Sequence, residues 1–359
     1  FYLFEMNLRG VANATFNYAL YNEKLLKNKS IIIYVKNKFN NVKIINKFKK
    51  SFKTIEIDKF ENINELLKKK KIDNFIFQKG GIKHKHQINH KDYSVLAFFP
   101  NNLFQIHGKK YCYVSNWLSK SFSNLKIPFV PYIVQLAKTK SNLRKRLKIK
   151  KTNLVFGYHG GESSFDLPFV HKAIEEIVKK RKDIFFIFLN INKFCNHPRI
   201  IFLKGSSDIK YKTKFINSCD AMIYGRSLGE SFGLSCGEFA IKNKKIISYK
   251  FCRHRNHISE ISEKRYVQYH SKKSLFGILD NFDKKKDFAR NSKNNYAKYN
   301  PRFVMKQFKK YLLCKSQNND FNILDHCISY FNLLLVDYFY IRHKIYQIYF
   351  RYIESKLFK

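Results

Sequence analysis

Two glutamates and the glycines around them are the residues best placed to do chemistry. Glu230 and Glu238 stand in the segment Cys219-Asp-Ala-Met-Ile-Tyr-Gly-Arg-Ser-Leu-Gly-Glu-Ser-Phe-Gly-Leu-Ser-Cys-Gly-Glu-Phe-Ala240. A carboxylate that accepts from two adjacent hydroxyls is a diol clamp. If a helix starts near Phe232, its rise to Glu238 is roughly 9 Å at about 1.5 Å per residue, so the two acids can grip separate parts of one elongated ligand. That spacing is too wide for an acid/base dyad. The plain alternative is a helix-capping glutamate followed by a surface one, and the spacing alone does not choose. Glycine placement adds to the case. Of only 13 glycines, Gly157, Gly160 and Gly161 fall in one window and Gly225, Gly229, Gly233 and Gly237 in another, while other loops are built from Asn and Lys. Such clusters mark backbone that turns tightly or approaches something closely.

The elements that must hold these windows read as alternating short apolar runs and helical patterns. A strand ends near Phe4, a loop closes with Arg9-Gly10, and Val11 to Leu26 has helical spacing. Strands follow at Ile31 to Val35, Thr54 to Ile57, Asn74 to Phe77, Ser94 to Phe99 and Tyr111 to Ser115. A basic connection, Lys138 to Lys151, precedes a second alternation: strands at 153–157, 184–190, 200–203, 220–224 and 244–249, helices at 168–180, 210–218 and 232–242. The glycine-rich turn before Glu238 thus leaves a parallel strand and enters a helix, the place where α/β sheets bind phosphate-bearing ligands. Two tandem parallel-sheet α/β domains are the economical architecture. A helix is expected from Pro301 to Leu313, and one or two more across 316–359, packed on the body or lying on an anionic membrane surface.

Length and composition agree. A chain of 359 residues with 45% apolar and 17% aromatic content can fill two cores, which excludes wholesale disorder. The excess of 70 Lys and Arg over 26 Asp and Glu gives a formal charge of +44, which raises nucleic acid, acidic membrane or polyanionic substrates as partners. The accompanying wealth of Lys, Asn, Ile, Phe and Tyr is also what A/T-rich codons supply, and the lysines are spread along the whole length. Seven scattered cysteines with no C-x-x-C pair suggest neither a disulfide framework nor a zinc ribbon, and fit a reducing, cytoplasmic setting. The sequence opens at Phe1 rather than Met, which leaves a trimmed start open. The histidines at 84, 86 and 90, and at 254 and 257, lack carboxylate or thiolate partners at ligand spacing and read as solvated loop residues rather than a metal site.

The run Arg226, Gly229-Glu230-Ser231-Phe232-Gly233-Leu234, then Glu238-Phe239-Ala240, resembles the donor-site signature of retaining GT-B glycosyltransferases of the family-4, or group 1, type. The resemblance implies two Rossmann-like parallel-sheet domains facing a cleft, with extra C-terminal helices. It divides the chain into an acceptor-side domain at 1–135, a linker at 136–152, a nucleotide-sugar domain at 153–299, a crossing helix at 300–315 that returns to the first domain, and a helical extension at 316–359. By position, it implies that Glu238 holds the ribose hydroxyls of a nucleoside-diphosphate sugar and Glu230 contacts the transferred sugar. Phe232, Gly233 and Leu234 would face the donor near its pyrophosphate, and Arg9-Gly10 would close over it. The implied reaction transfers the sugar, with retention, to a hydroxyl on a glycan or lipid-linked acceptor. The nucleotide sugar is a co-substrate, and no cofactor is expected.

Departures from the pattern define what the structure must explain. Leu228 stands where the family has Arg, and Arg226 comes two residues early, either structural or neutralising phosphate. Tyr158 takes the place of a second Arg, and no Lys follows before Lys172. Leaving-group charge then falls to backbone N–H groups, His159 beside Gly160, Arg226 or Arg9. The family's His in the first domain has its nearest substitute in His107. No Asp-x-Asp motif occurs, so no metal requirement is expected. The competing readings are a catalytically inactive scaffold of the same fold and a basic nucleic-acid-binding protein, though no specific nucleic-acid-binding signature is present.

Overall fold

A computed structural model describes residues 1–261, 265–284, 294–314 and 320–357. It resolves into two compact units, one made of Phe1–Thr139, Gly205–Thr213 and Asn295–Tyr330, the other of Lys140–Lys204, Lys214–Asn294 and Phe331–Lys359.

In the first unit the chain alternates as the apolar pattern requires: β1 (Tyr2–Leu3), α1 (Gly10–Leu26), β2 (Ile31–Val35), α2 (Val42–Ser51), β3 (Lys53–Ile57), α3 (Ile63–Lys69), β4 (Phe75–Lys79), β5 (Tyr93–Ala97), β6 (Lys110–Tyr113) and α4 (Asn116–Ser123). The strands form one parallel sheet in the order β3-β2-β1-β4-β5-β6. β4 and β5 are buried along their whole length, as strands covered on both faces should be. Asn41 caps α2 by accepting from the Lys43 and Ile44 amides, and Ser115 caps α4 through the Leu118 amide.

The second unit runs β7 (Leu154–His159), α5 (Pro168–Lys180), β8 (Ile184–Leu189), β9 (Ile200–Leu203), α6 (Ile209–Ser218, counted with this unit only from Lys214), β10 (Ala221–Tyr224), β11 (Gly229–Glu230), α7 (Leu234–Ala240), β12 (Lys245–Tyr249), β13 (His254–Arg255), α8 (Asn256–Ser259), β14 (Tyr266–Tyr269) and α9 (Lys272–Asp280). Its main sheet is again parallel, ordered β14-β12-β10-β7-β8-β9, with β11 and β13 as a separate two-stranded ribbon. Both sheets therefore start at a central strand, wind outward one way, then return and wind the other. The reversals fall between β1 and β4 and between β7 and β10, and the loops leaving those strands are where such folds bind ligands. The expected strands and helices are found within a few residues. The ribbon, α8, β14 and α9 were not foreseen.

The segment Asn295–Tyr330 completes the first unit. α10 (Pro301–Phe308) starts at a proline after the Asn300 cap and runs into a π-helical stretch, Lys309–Cys314. Phe308 packs its ring 5.3 Å from that of Tyr18 on α1. The Leu312 carbonyl accepts from the Ser94 hydroxyl at 3.1 Å, and that of Leu313 from the Lys110 ammonium at 2.7 Å. One long helix, α11 (Ile323–Leu357), follows, and from Phe331 on it belongs to the second unit. No helix among the described residues is long and apolar enough to cross a membrane. No disulfide joins the seven cysteines.

Within the basic connection, Arg144 works as an internal fastener. Its guanidinium donates to the carbonyls of Ser218, Lys150 and Asn153 and reaches the Asp220 carboxylate at 2.7 Å. Asp220 also accepts from the Val155 amide at 2.8 Å, which fixes the start of β7 beside β10. Both charges are nearly buried, so removing one strands the other. Asp220→Ala is expected to lower the unfolding free energy by about 3 kcal/mol. Urea titration followed by circular dichroism measures it, and an unchanged midpoint would refute the role.

Candidate functional site

The loops that leave β7 and β10 are fastened to each other. The Asp166 amide donates to the Gly225 carbonyl at 2.9 Å, and the Asp166 carboxylate accepts from the Ser227 amide and hydroxyl, each at 2.7 Å. Beyond this clasp, Gly229 adopts φ +71° in β11, where a Cβ would lie 2.0 Å from the His254 carbonyl oxygen. Only glycine lets β11 lie so close to β13. Gly233, at φ +84°, then turns the chain into α7, and the Asn256 amide holds the Phe232 carbonyl at 2.7 Å. Phe232 itself is buried and Leu234 opens the helix.

The two acids end in different surroundings. Glu230 is half-buried, and its Oε1 accepts from the Tyr224 hydroxyl at 3.2 Å and the Arg226 guanidinium at 3.1 Å. Burial opposes the charge on Arg226, while the Glu230 carboxylate beside it holds its pKa above the ordinary value. The early arginine is thus ion-paired with Glu230. Glu238 lies on α7 at 1% exposure, with Oε2 3.0 Å from Nε2 of His159, whose ring stacks on Phe239 at 5.9 Å. His159 and Glu238, chosen from separate windows of the sequence, are therefore partners. Gly160 follows, its carbonyl accepting from the Asn190 side chain at 2.8 Å. A Cβ on Gly160 would meet the Ser164 hydroxyl at 2.4 Å, so the turn is closed by contact. Tyr158, in the place of a cation, is buried with its hydroxyl 3.1 Å from that of Ser164.

The expectation of solvated loop histidines is corrected at two positions. His254 and His257 are not solvated: they are 2% and 0% exposed. His257 shares a hydrogen bond with the Ser248 hydroxyl at 3.0 Å and packs on the Tyr224 ring at 4.6 Å. Burial, reinforced by nearby arginines, pushes both pKa values down to about 3. Among the described residues, no three His, Cys, Asp or Glu side chains gather as a metal ion needs.

The remaining candidates belong to the first unit. Arg9 is exposed and precedes α1, which Gly10 opens, and the Asn7 side chain accepts from the Arg9 amide at 3.0 Å. His107 has Nδ1 2.7 Å from the Gln105 carbonyl and Nε2 3.0 Å from the ammonium of Lys79. Burial first, with Lys79 among the contributors, lowers its pKa to about 4. Lys79 ends β4, at the reversal of the first sheet, and is 4% exposed. Burial brings its pKa down to about 8. A lysine among so many gave no signal in the sequence; only the position at the end of an apolar strand could have marked it.

No protein-family model matches the chain, and no curated protein does. Solved structures do. HepE of Anabaena, in complex with UDP and glucose, superposes with a TM-score of 0.61 at 10% identity, covering 88% of this chain and 99% of that one. A glycosyltransferase from Rickettsia africae gives 0.55 at 16% identity over 94% and 97%. A protein described as a UDP-N-acetylglucosamine 2-epimerase from Listeria monocytogenes gives 0.57 at 12% over 90% and 99%. At these identities the likeness is one of fold, the pair of Rossmann-like units of the GT-B class.

The buried histidines set a pH dependence. They are neutral in the folded chain and free to protonate once unfolded, so below about 6.5 the unfolded state binds more protons and stability falls as pH falls. Melting temperature is expected to be level above pH 7 and to drop between 6.5 and 5, where carboxylates remain ionised. His257→Gln, which keeps a partner for Ser248, should flatten that slope in a differential scanning series. An unaltered slope would contradict the assignment.

Proposed function

We propose that the chain is a metal-independent retaining glycosyltransferase that moves a sugar from a nucleoside-diphosphate sugar to a hydroxyl on a glycan or lipid-linked acceptor, in the cytoplasm or at a membrane surface. The observation that carries this reading is the clasped loop pair at the β7/β10 reversal, with Glu230 oriented by Tyr224 and Arg226 and Glu238 paired with His159. The Glu-x-Phe-Gly-Leu resemblance and the fold shared with a protein that binds UDP and glucose support it.

In this reading the bond from the anomeric carbon to the β-phosphate oxygen breaks, a new bond forms to the acceptor oxygen, and the acceptor proton leaves with the nucleoside diphosphate. Glu230 accepts from hydroxyls of the sugar through the oxygen not committed to Arg226. Glu238 takes the ribose hydroxyls in exchange for the His159 ring, which moves aside toward the phosphates. The task of these groups is to hold the donor still and to meet charge developing on the diphosphate.

The likeness to the epimerase supports a second reading, because the same fold then acts on a nucleotide sugar without an acceptor. Incubation with UDP-N-acetylglucosamine alone separates the two: conversion to its 2-epimer favours epimerisation, and acceptor-dependent release of UDP favours transfer. Donor binding is tested first. A nucleoside-diphosphate sugar at about 100 times its Kd is expected to add roughly 2.7 kcal/mol of stability, read as a rise in melting temperature. Glu238→Ala should weaken donor binding by about tenfold or more, the loss of one charge-assisted hydrogen-bond pair, while Trp117→Ala should not. No shift with any nucleoside diphosphate or its sugars would overturn the proposal.

A further inference from the structure

The long C-terminal helix is turned the wrong way for a helix that only packs. Leu324, Phe331, Leu334, Tyr338, Ile341 and Ile345 of α11 are all exposed, and at 3.6 residues per turn they fall within about 100° of arc. The residues buried against the body, Asp325, Ser329 and Val336, point to the opposite side. The helix is fastened through polar groups: Asp325 to Lys126, Asp337 to Arg253, and the Arg342 guanidinium 4.6 Å from the centre of the Phe251 ring. An ordinary amphipathic helix buries its apolar stripe and shows water the charged one. This one leaves an apolar stripe exposed along about 32 Å.

We propose that this face of α11 lies in the interface of a membrane rich in anionic lipid. Charge selects that occupant over a second copy of the chain. The end of α11 and the residues after it carry Arg342, Lys344, Arg351, Lys356 and Lys359 against Glu354, and the whole chain bears +44, so two copies repel while an anionic bilayer attracts. Apolar side chains of the exposed stripe enter the boundary between headgroups and acyl chains. The helix lies on the membrane and does not span it. The inference does not rest on the donor reading, since vesicle binding needs no nucleotide sugar.

Co-sedimentation tests it with phosphatidylcholine vesicles and with vesicles carrying a quarter phosphatidylglycerol. The full chain is expected to pellet with the anionic vesicles, weakly with the neutral ones, and less as salt is raised. L334E/I341E changes only exposed positions and should keep the wild-type circular dichroism and donor-induced thermal shift while losing vesicle affinity by about tenfold or more. Equal vesicle binding by the double variant, or no preference for anionic lipid, would overturn the proposal. So would a lipid-free dimer, seen by sedimentation velocity, that the same variant dissociates.

Discussion

The carboxylate of Asp166 fixes the distance between the two loops that carry the candidate site. A parallel sheet delivers both loops to the same edge, yet nothing in the strands sets how they lie relative to each other. Asp166 does so by accepting two hydrogen bonds from Ser227 while its own amide meets Gly225. Tyr158, Arg226, Glu230 and, one turn later, Glu238 take their places from that constraint. None of the fastening groups is a lysine, although lysine dominates the composition.

The site departs from its family resemblance in a consistent direction. Cations expected beside the first strand of the second unit are replaced by a buried phenol and by a histidine set against an acid. Arg226 serves Glu230. Positive charge is thus abundant on the chain as a whole and sparing within the loop pair, where hydroxyls, amides and paired acids prevail. That environment suits recognition of a polyhydroxylated ligand, whose groups both donate and accept, better than it suits a bare anion.

Much of the fold was legible. α5 matches its expected span because Pro168 marks its first turn and Phe169, Val170, Ala173, Ile174, Ile177 and Val178 draw one buried face. β8 was legible as an unbroken apolar run. The β11–β13 ribbon was not, since two-residue strands carry no periodicity and exist only because Gly229 permits the approach. His254 and His257 were misread because polarity was taken for exposure, whereas a neutral imidazole with a hydroxyl or ring partner is at home in a core. The pairing of His159 with Glu238 joins positions far apart in sequence, and no local spacing reports it. The single helix over 323–357 was blurred for a related reason: both of its faces carry apolar residues, so the pattern lacked a clean period.

The segment 295–330 packs with the first unit, although the whole of the second unit's sheet precedes it in sequence. Phe308 against Tyr18 and the Leu312 and Leu313 carbonyls against β5 and β6 are contacts that translation supplies only after the second unit's sheet. On the ribosome the amino-terminal sheet must therefore wait, with one flank uncovered, until residues 295–314 have emerged. The second unit waits as well, for Asp337 and Arg342 of α11 to reach Arg253 and Phe251, so each half is closed by a segment made after both sheets.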